Sequence, residues 1–560
     1  MKMSLKKISN LYLKKIPQQK LKIVSIFSTL SFFILAHGYR FSNLLFSHDS
    51  LNVCEYKPEW ELGIGRFMHP VLYVIRGVLG APWLFSILSI LWLSLSVLLV
   101  IKIFNIDSLW AVIATPGIMV CNNVITLSNA TYIQWMDVYT LALFTAVLAA
   151  WLLLKVEVNK LIQIRNYILV AVLVAISMGL YQAYIGVTIG IIVFSYILKL
   201  GNHEAENSIK SLFIGIIKSS IPILVGGILY FVLWKAILAL SGIISQNYFG
   251  MDESSSAKGY AYALYRTYKN VAIFFRRPSL YNTGSVIGTK IIEFVIVMAN
   301  IIVLAVLGLY PIANYFSSKK KQINSKSEGI IRLVLQYILL AILPFAVNFA
   351  CFMTKGDEHD LMRYGMVMIY IYALTIICNI KFDKQNWTIR ANTILLICLS
   401  IVIWSNIVFS NQLYLKKSLQ EEATNYKIGR LVEMIEKTAE SADLERPYKV
   451  IIVGNASDND YFNDIKDTEM LGGTGIYNSP ITYGRTIGFY TNYMLGADMD
   501  VYLLDKDDNF YLVGDNETNW NPSPISNQEL DDVPVFPSED SVVYLKNYII
   551  VKMSDTDMVY

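Results

Sequence analysis

Two kinds of residue in this chain have the type and setting to do chemistry at a membrane surface. Acids come first: Asp49, Glu55, Glu59 and Glu61 fall within residues 41–81, just beyond the first apolar segment. A carboxylate held outside the bilayer can take the proton of a hydroxyl while a lipid-linked donor lies in the membrane edge. Asp49, nine residues or so past that segment, is the preferred base, with Glu55, Glu59 and Glu61 as rivals. Acids in such a loop also serve simply as a solvated face. The second kind is cationic. Arg363 opens a late apolar segment directly after Asp357, Glu358, His359 and Asp360. A guanidinium there can grip a phosphodiester with two parallel N–H groups and neutralise a departing phosphate. Arg276, Arg277, Lys258 and Lys269, in residues 242–285, can do the same from a longer loop. The competing role for each is anchoring to lipid headgroups.

Asp137 is the main intramembrane signal, two turns into TYIQWMDVYTLAL beside Gln134. An ionisable group at that depth costs several kcal/mol unless it meets a polar cavity or a partner. Gln182, Lys235 and Glu293 fall at comparable depth, and Lys235 or Glu293 is placed to pair with Asp137. With Glu61 and Arg66, Asp137 and Gln182 are expected to line a cavity opening outward. Two DxD triplets, 458–460 and 498–500, lie in so acidic a region that chance explains them. No P-loop, dinucleotide fingerprint, HExxH or GxSxG is present, and His48, His69 and His359 are too scattered for a metal. No cofactor, metal or nucleic acid is expected.

The elements that must position these residues are membrane spans. The chain is 55% hydrophobic over 560 residues, and one crossing takes about 20 apolar residues. Spans are expected at 21–40, 82–104, 110–127, 131–154, 167–179, 180–198, 211–241, 286–316, 331–352, 363–380 and 390–410, about 11 transmembrane helices in all. The segment 166–200 is long for one crossing and short for two; with Gly179 and Gln182 at its middle it reads as a hairpin of short helices. Residues 67–80 are amphipathic and too short to span, so they lie in the interface, as does the Tyr-rich stretch 260–275.

Charge supplies the orientation. Residues 1–420 hold 37 Lys and Arg against 17 Asp and Glu, and residues 421–560 hold 10 against 26. Basic residues concentrate in short cytoplasmic loops. The lysine-rich residues 1–20 are therefore a cytoplasmic anchor. The loops 155–166, 199–210, 317–330 and 381–389 face the same side, and the acidic tail is extracytoplasmic. This divides the chain into the N-terminal anchor, a membrane domain over 21–415 and a tail domain over 420–560. The tail alternates a helical run near 420–440 with strand-like YKVIIVG, MDVYLLD and a strand pair near 541–553, a small α/β or α+β domain. Its Tyr461, Tyr477, Tyr483, Tyr490 and Trp520 offer faces for stacking sugars or for packing within the domain. Five cysteines without a CxxC pair argue against a disulfide framework.

FSHDS (46–50), WELGIGRF (60–67), TYIQWMDVYTLAL (131–143), GLYQAYIG (179–186) and an arginine opening a late span together resemble the type II serotype-converting glucosyltransferases of bacteria and phages. Phe67 stands where that family usually has Trp. The resemblance covers about residues 20–415 and implies a GT-C-like polytopic membrane enzyme. It further implies transfer of glucose from a polyprenyl-phosphate carrier to a surface glycan outside the cytoplasmic membrane, with Asp49 as base and Arg363 on the donor phosphate. A polysaccharide polymerase or lipid-linked ligase would share the spans and the arginines. A transporter would explain the buried charges but not the acidic first loop.

Overall fold

A computed structural model describes residues 13–47, 49–51, 56–155, 159–202, 208–246, 257–276, 287–320, 326–380, 385–462, 481, 484–504, 507, 509–513 and 521–555. Glu55, His48, Arg277, Tyr477, Tyr483 and Trp520 lie outside the described residues. Among those described, nine helices are long and apolar enough to cross a membrane, or ten if one bent pair counts as a span. The protein is a multi-pass membrane protein with a small C-terminal sheet.

The first span is α1 (Gln18–Ser42). A short α2 (Glu59–Gly63) and an amphipathic α3 (Met68–Arg76) precede the second span, α4 (Pro82–Ile103). The expected span 110–127 is the bent pair, α5 (Leu109–Val120) and α6 (Asn123–Thr131). The Asn122 side chain caps the second piece by accepting from Ile125 N–H. Next come α7 (Met136–Leu154), α8 (Lys160–Tyr181), α9 (Ile185–Gly201) and α10 (Ile209–Ser241).

The run Lys160–Gly201 counts once by length, yet it doubles back. Ser177 on α8 donates to Ala142 O, and Thr188 on α9 donates to Ala146 O. The eleven residues from Ser177 to Thr188 would advance about 16 Å in a straight helix, against about 6 Å for the four separating their acceptors on α7. The reversal occurs at extended Tyr181 (φ −161°, ψ 112°), two residues past the glycine that the sequence marks.

Beyond α10 lie α11 (Ala257–Arg276), α12 (Ile287–Lys320), α13 (Lys326–Val347), the short α14 (Phe349–Met353) and α15 (Tyr364–Asn379). The last span belongs to α16 (Gln385–Ser441), 57 residues and roughly 85 Å long. The domain boundary expected between 415 and 420 therefore falls inside one uninterrupted helix. No Gly or Pro occurs from 385 to 428 to stop it.

The bundle has two distinct ends. Ile16 N–H donates to Asp107 O and Lys15 pairs with Asp107 at 2.5 Å; Trp110 Nε1 bonds Asn392 nearby. At the far end Tyr39 donates to Ser418, and Lys417 to Phe46 O. α1 and α16 thus run side by side in the same direction, and α16 carries the chain out of the bundle into the tail.

The tail is a six-stranded sheet in the order β4-β3-β2-β1-β6-β5. Central β1 (Tyr448–Val453) pairs in parallel with β2 (Met499–Leu504) and β6 (Tyr548–Lys552). The flanking β3 (Asn509–Leu512), β4 (Asn521–Pro522) and β5 (Val542–Leu545) pair antiparallel. Alternate residues of β1 feed two cores. Val450 and Ile452 pack with Ile428, Leu431 and Ile435 of α16. Ile451 and Val453 pack with Ile525, Leu530 and Ile550. A strand buried on both faces explains the near-continuous apolar run in its sequence.

Candidate active site

The loop carrying Asp49 is held by backbone contacts. Fully buried Arg40 donates to Asn43 O, Leu45 O at 2.7 Å and Asn129 O. Ser47 and Ser50 bond each other, and Ser47 Oγ donates to Thr131 O at 2.5 Å. Gln134 Nε2 donates to Asp49 O at 3.2 Å. Asp49 is half-buried against the junction of α6 and α7.

The two glycine-bearing motifs pack on one another. Gln182 Nε2 donates to Ile64 O at 2.7 Å, the Arg66 guanidinium lies 4.9 Å over the Tyr181 ring, and His69 Nε2 bonds Leu180 O. A side chain at Gly179 would meet the Phe67 ring at 2.7 Å, so the helix there must be bare for Phe67 to seat. Phe67 stacks on Tyr230 at 5.8 Å. Gly65 has φ +82° and lies against the Tyr230 hydroxyl, two reasons for glycine.

The third component is the segment between α14 and α15. Arg266 of α11 donates to Gly356 O at 3.2 Å. Arg363 lies 3.4 Å from Glu358, whose side chain is 1% exposed, and also pairs with Asp360. Burial raises the Glu358 carboxyl above its ordinary range, against the pull of Arg363. His359 accepts Leu361 N–H on Nδ1, which leaves the proton on Nε2. Burial holds this imidazole below its usual pKa, and Asp360, Arg66, Arg363 and Asp49 all lie close enough to act on it by charge.

The second and third of these parts flank a small cavity, lined by Arg66, Tyr181 and Gln182 from one side and by Ala350, Thr354 and Met362 from the other. Gln182 and Arg66 are thus at the cavity, and Asp49 and Arg363 come within electrostatic reach of one histidine although 314 positions separate them. Glu61 is 5% exposed, and burial pushes its carboxyl up to about 7.

Several expectations change. Asp137 pairs with Arg76, not with Lys235 or Glu293: Arg76 Nε lies 2.9 Å from Oδ2 and Nη2 3.1 Å from Oδ1. Lys235 lies 4.4 Å over the Trp234 ring. The amphipathic α3 ends on Arg76, so its last turn reaches into the bundle and takes the carboxylate first. Arg276 is exposed at the C-terminal end of α11, about 15 Å along the helix from Arg266. It is Arg266 that approaches the site. Tyr490 is fully buried with its hydroxyl 2.8 Å from Glu421, so it offers no stacking face, and Tyr461 packs against Phe536. The sequence offers His359 only as a scattered loop histidine beside Arg363 and gives Arg266 no role; the run GDEHD was the available signal for the first, and a Tyr-rich helix bearing one mid-helix arginine for the second.

No curated protein and no solved structure matches the chain. Residues 38–370 match the family model described as glucosyl transferase GtrII. That stretch is more than half of the chain and contains Asp49, Arg66, Gln182, His359 and Arg363. Matched over more than half of its length, the chain belongs to the glucosyl transferase GtrII family.

Proposed function

We propose that this glucosyltransferase moves glucose from a polyprenyl-phosphate carrier to a surface glycan on the outer side of the cytoplasmic membrane. The observation that carries the reading is that Asp49, Arg66 and Arg363 all come within charge reach of His359 at the tail-bearing end of the bundle, beside a cavity that Arg66 lines. Asp49 accepts the proton of the acceptor hydroxyl as that oxygen attacks the glucose anomeric carbon. The bond from that carbon to the phosphate oxygen breaks, and the polyprenyl phosphate leaves with the electron pair. Arg66 and Arg363 neutralise the developing charge. The donor bond is already activated, so no nucleotide enters the balance.

The charge split supports an orientation with the N-terminus cytoplasmic and the tail outside. With the hairpin counted as two crossings and the bent pair as one, eleven crossings follow among the described residues, a number that agrees with that split. Residues 21–415 then form the transferase domain in the bilayer, and the domain from 420 onward hangs from α16.

The test uses labelled polyprenyl-phosphate glucose and, in parallel, labelled UDP-glucose. The acceptor is surface glycan from a strain deleted for this gene. Transfer from the lipid donor alone is expected, with Asp49→Asn slower by about 10²–10⁴-fold. Transfer from UDP-glucose, or an Asp49→Asn protein as fast as the parent, defeats the reading.

A further inference from the structure

The segment around Asp49 is gripped from two sides. Leu51, two residues after it, is fully buried and belongs to the core of the tail domain, in one cluster with Ile428, Leu431, Tyr448 and Phe489. Phe46, three residues before it, donates its N–H to Glu421 Oε2 at 3.2 Å and accepts Lys417 Nζ on its carbonyl at 2.9 Å. The other oxygen of Glu421 lies 2.8 Å from the Tyr490 hydroxyl, inside the tail. Between these fixed points Ser47 and Ser50 are tied to Thr131 O on the bundle. Residues 46 and 51 therefore belong to the tail, residues 47 and 50 to the membrane domain, and Asp49 sits on the bridge.

From this we infer that the C-terminal domain, which lies wholly outside the matched family region, is the positioning element of the transfer step. Leu51, Glu421 and Tyr490 are positioning residues that aim Asp49. A six-residue segment pinned at both ends has little freedom to reorient by itself, so a small displacement of the sheet moves the carboxylate. Misplacing a reacting group by about 1 Å can cost roughly 10²-fold in rate. Donor binding, by contrast, draws on Arg66, which lies over Tyr181, and on Arg363, which pairs with Glu358 and Asp360, all in the membrane domain. The inference rests on Asp49 as the base.

The experiment compares full-length wild type, Leu51→Ala, Leu51→Met and Tyr490→Phe with the lipid-linked glucose donor and deletion-strain glycan. Leu51→Ala is expected to lower kcat about tenfold or more while the donor KM stays put. Leu51→Met, which refills the site, should recover most of that loss. A role in stability alone predicts less folded protein with unchanged kcat per folded molecule, and that result overturns the inference, as does a KM rise at constant kcat. If Leu51→Ala does not accumulate, Tyr490→Phe carries the test, and wild-type kcat there refutes it. Hydrogen exchange over residues 44–51 reads the grip without substrate. Faster exchange in Tyr490→Phe than in wild type is expected, and equal exchange overturns the proposal. A wild-type protein with no transfer from this donor would defeat the proposed function instead, leaving the exchange result to decide the grip.

Discussion

Replacing Arg76 with Leu should destabilise this protein strongly, for a reason visible in the buried Arg76–Asp137 pair. The two side chains are 7% and 5% exposed. They share two hydrogen bonds, and Arg76 Nη2 adds a third to Gln134 O at 2.6 Å. Arg76→Leu leaves the Asp137 carboxylate buried with its charge uncompensated. Breaking such a pair from one side costs about 3–5 kcal/mol, whereas replacing both partners with apolar residues is often neutral. At roughly 1.4 kcal/mol per factor of ten, the single variant loses between about 10² and 10⁴ in its folding equilibrium. The double variant Arg76→Leu/Asp137→Leu should return close to the parent, giving a coupling energy above about 2 kcal/mol. Thermal unfolding in detergent, followed by Trp fluorescence, measures all four corners of the cycle. Transfer per folded molecule is measured alongside. An unchanged melting temperature in Arg76→Leu refutes the packing argument. A double variant that is stable but inactive refutes the structural role of Asp137 and returns it to the cavity.

Three further outcomes are expected. Arg363→Lys keeps the charge but loses the planar fork that spans Glu358 and Asp360, so transfer should fall roughly 10²-fold at normal protein level; wild-type rates would assign Arg363 to anchoring and leave the phosphate to Arg66. Gly65→Ala places a methyl against the Tyr230 hydroxyl at φ +82° and should cost about 1–3 kcal/mol in unfolding experiments, part of it recovered by Tyr230→Phe; equal stability of Gly65→Ala and wild type would refute the close approach. Burial raises the Glu61 carboxyl from 4.5 to about 7, so the folded state binds this proton more tightly than the unfolded chain. Its contribution is full below 4.5 and is lost as pH rises to about 7, by up to roughly 1.4 kcal/mol per pH unit. Unfolding of Glu61→Gln should be flatter across that window, and identical pH profiles would contradict the burial argument.

The linear sequence carried whatever depends on neighbours along the chain. Hydropathy over some 20 residues marks a span wherever it is placed, because each backbone group in a bilayer must bond within its own helix. The long apolar helices were therefore legible, as were the hairpin around Gly179, the short amphipathic α3, and the strands at 448–453, 499–504 and 542–552. Asp49 and Arg363 were legible as candidates from their places beside span ends. Partner choice was not. Whether Asp137 meets Arg76, Lys235 or Glu293 depends on the rotation of each helix about its axis and on where α3 docks, and neither is encoded by local periodicity. Arg266, not Arg276, approaches the cavity because α11 lies with its middle, rather than its end, beside Gly356. The same holds for Leu51: an isolated leucine in an acidic loop reads as incidental until the sheet of a domain nearly 400 residues later closes over it. Local pattern settles which elements form, since their hydrogen bonds are internal. Contacts between elements distant in sequence require the packed structure, because only there do side-chain volume, burial and charge select one neighbour among many.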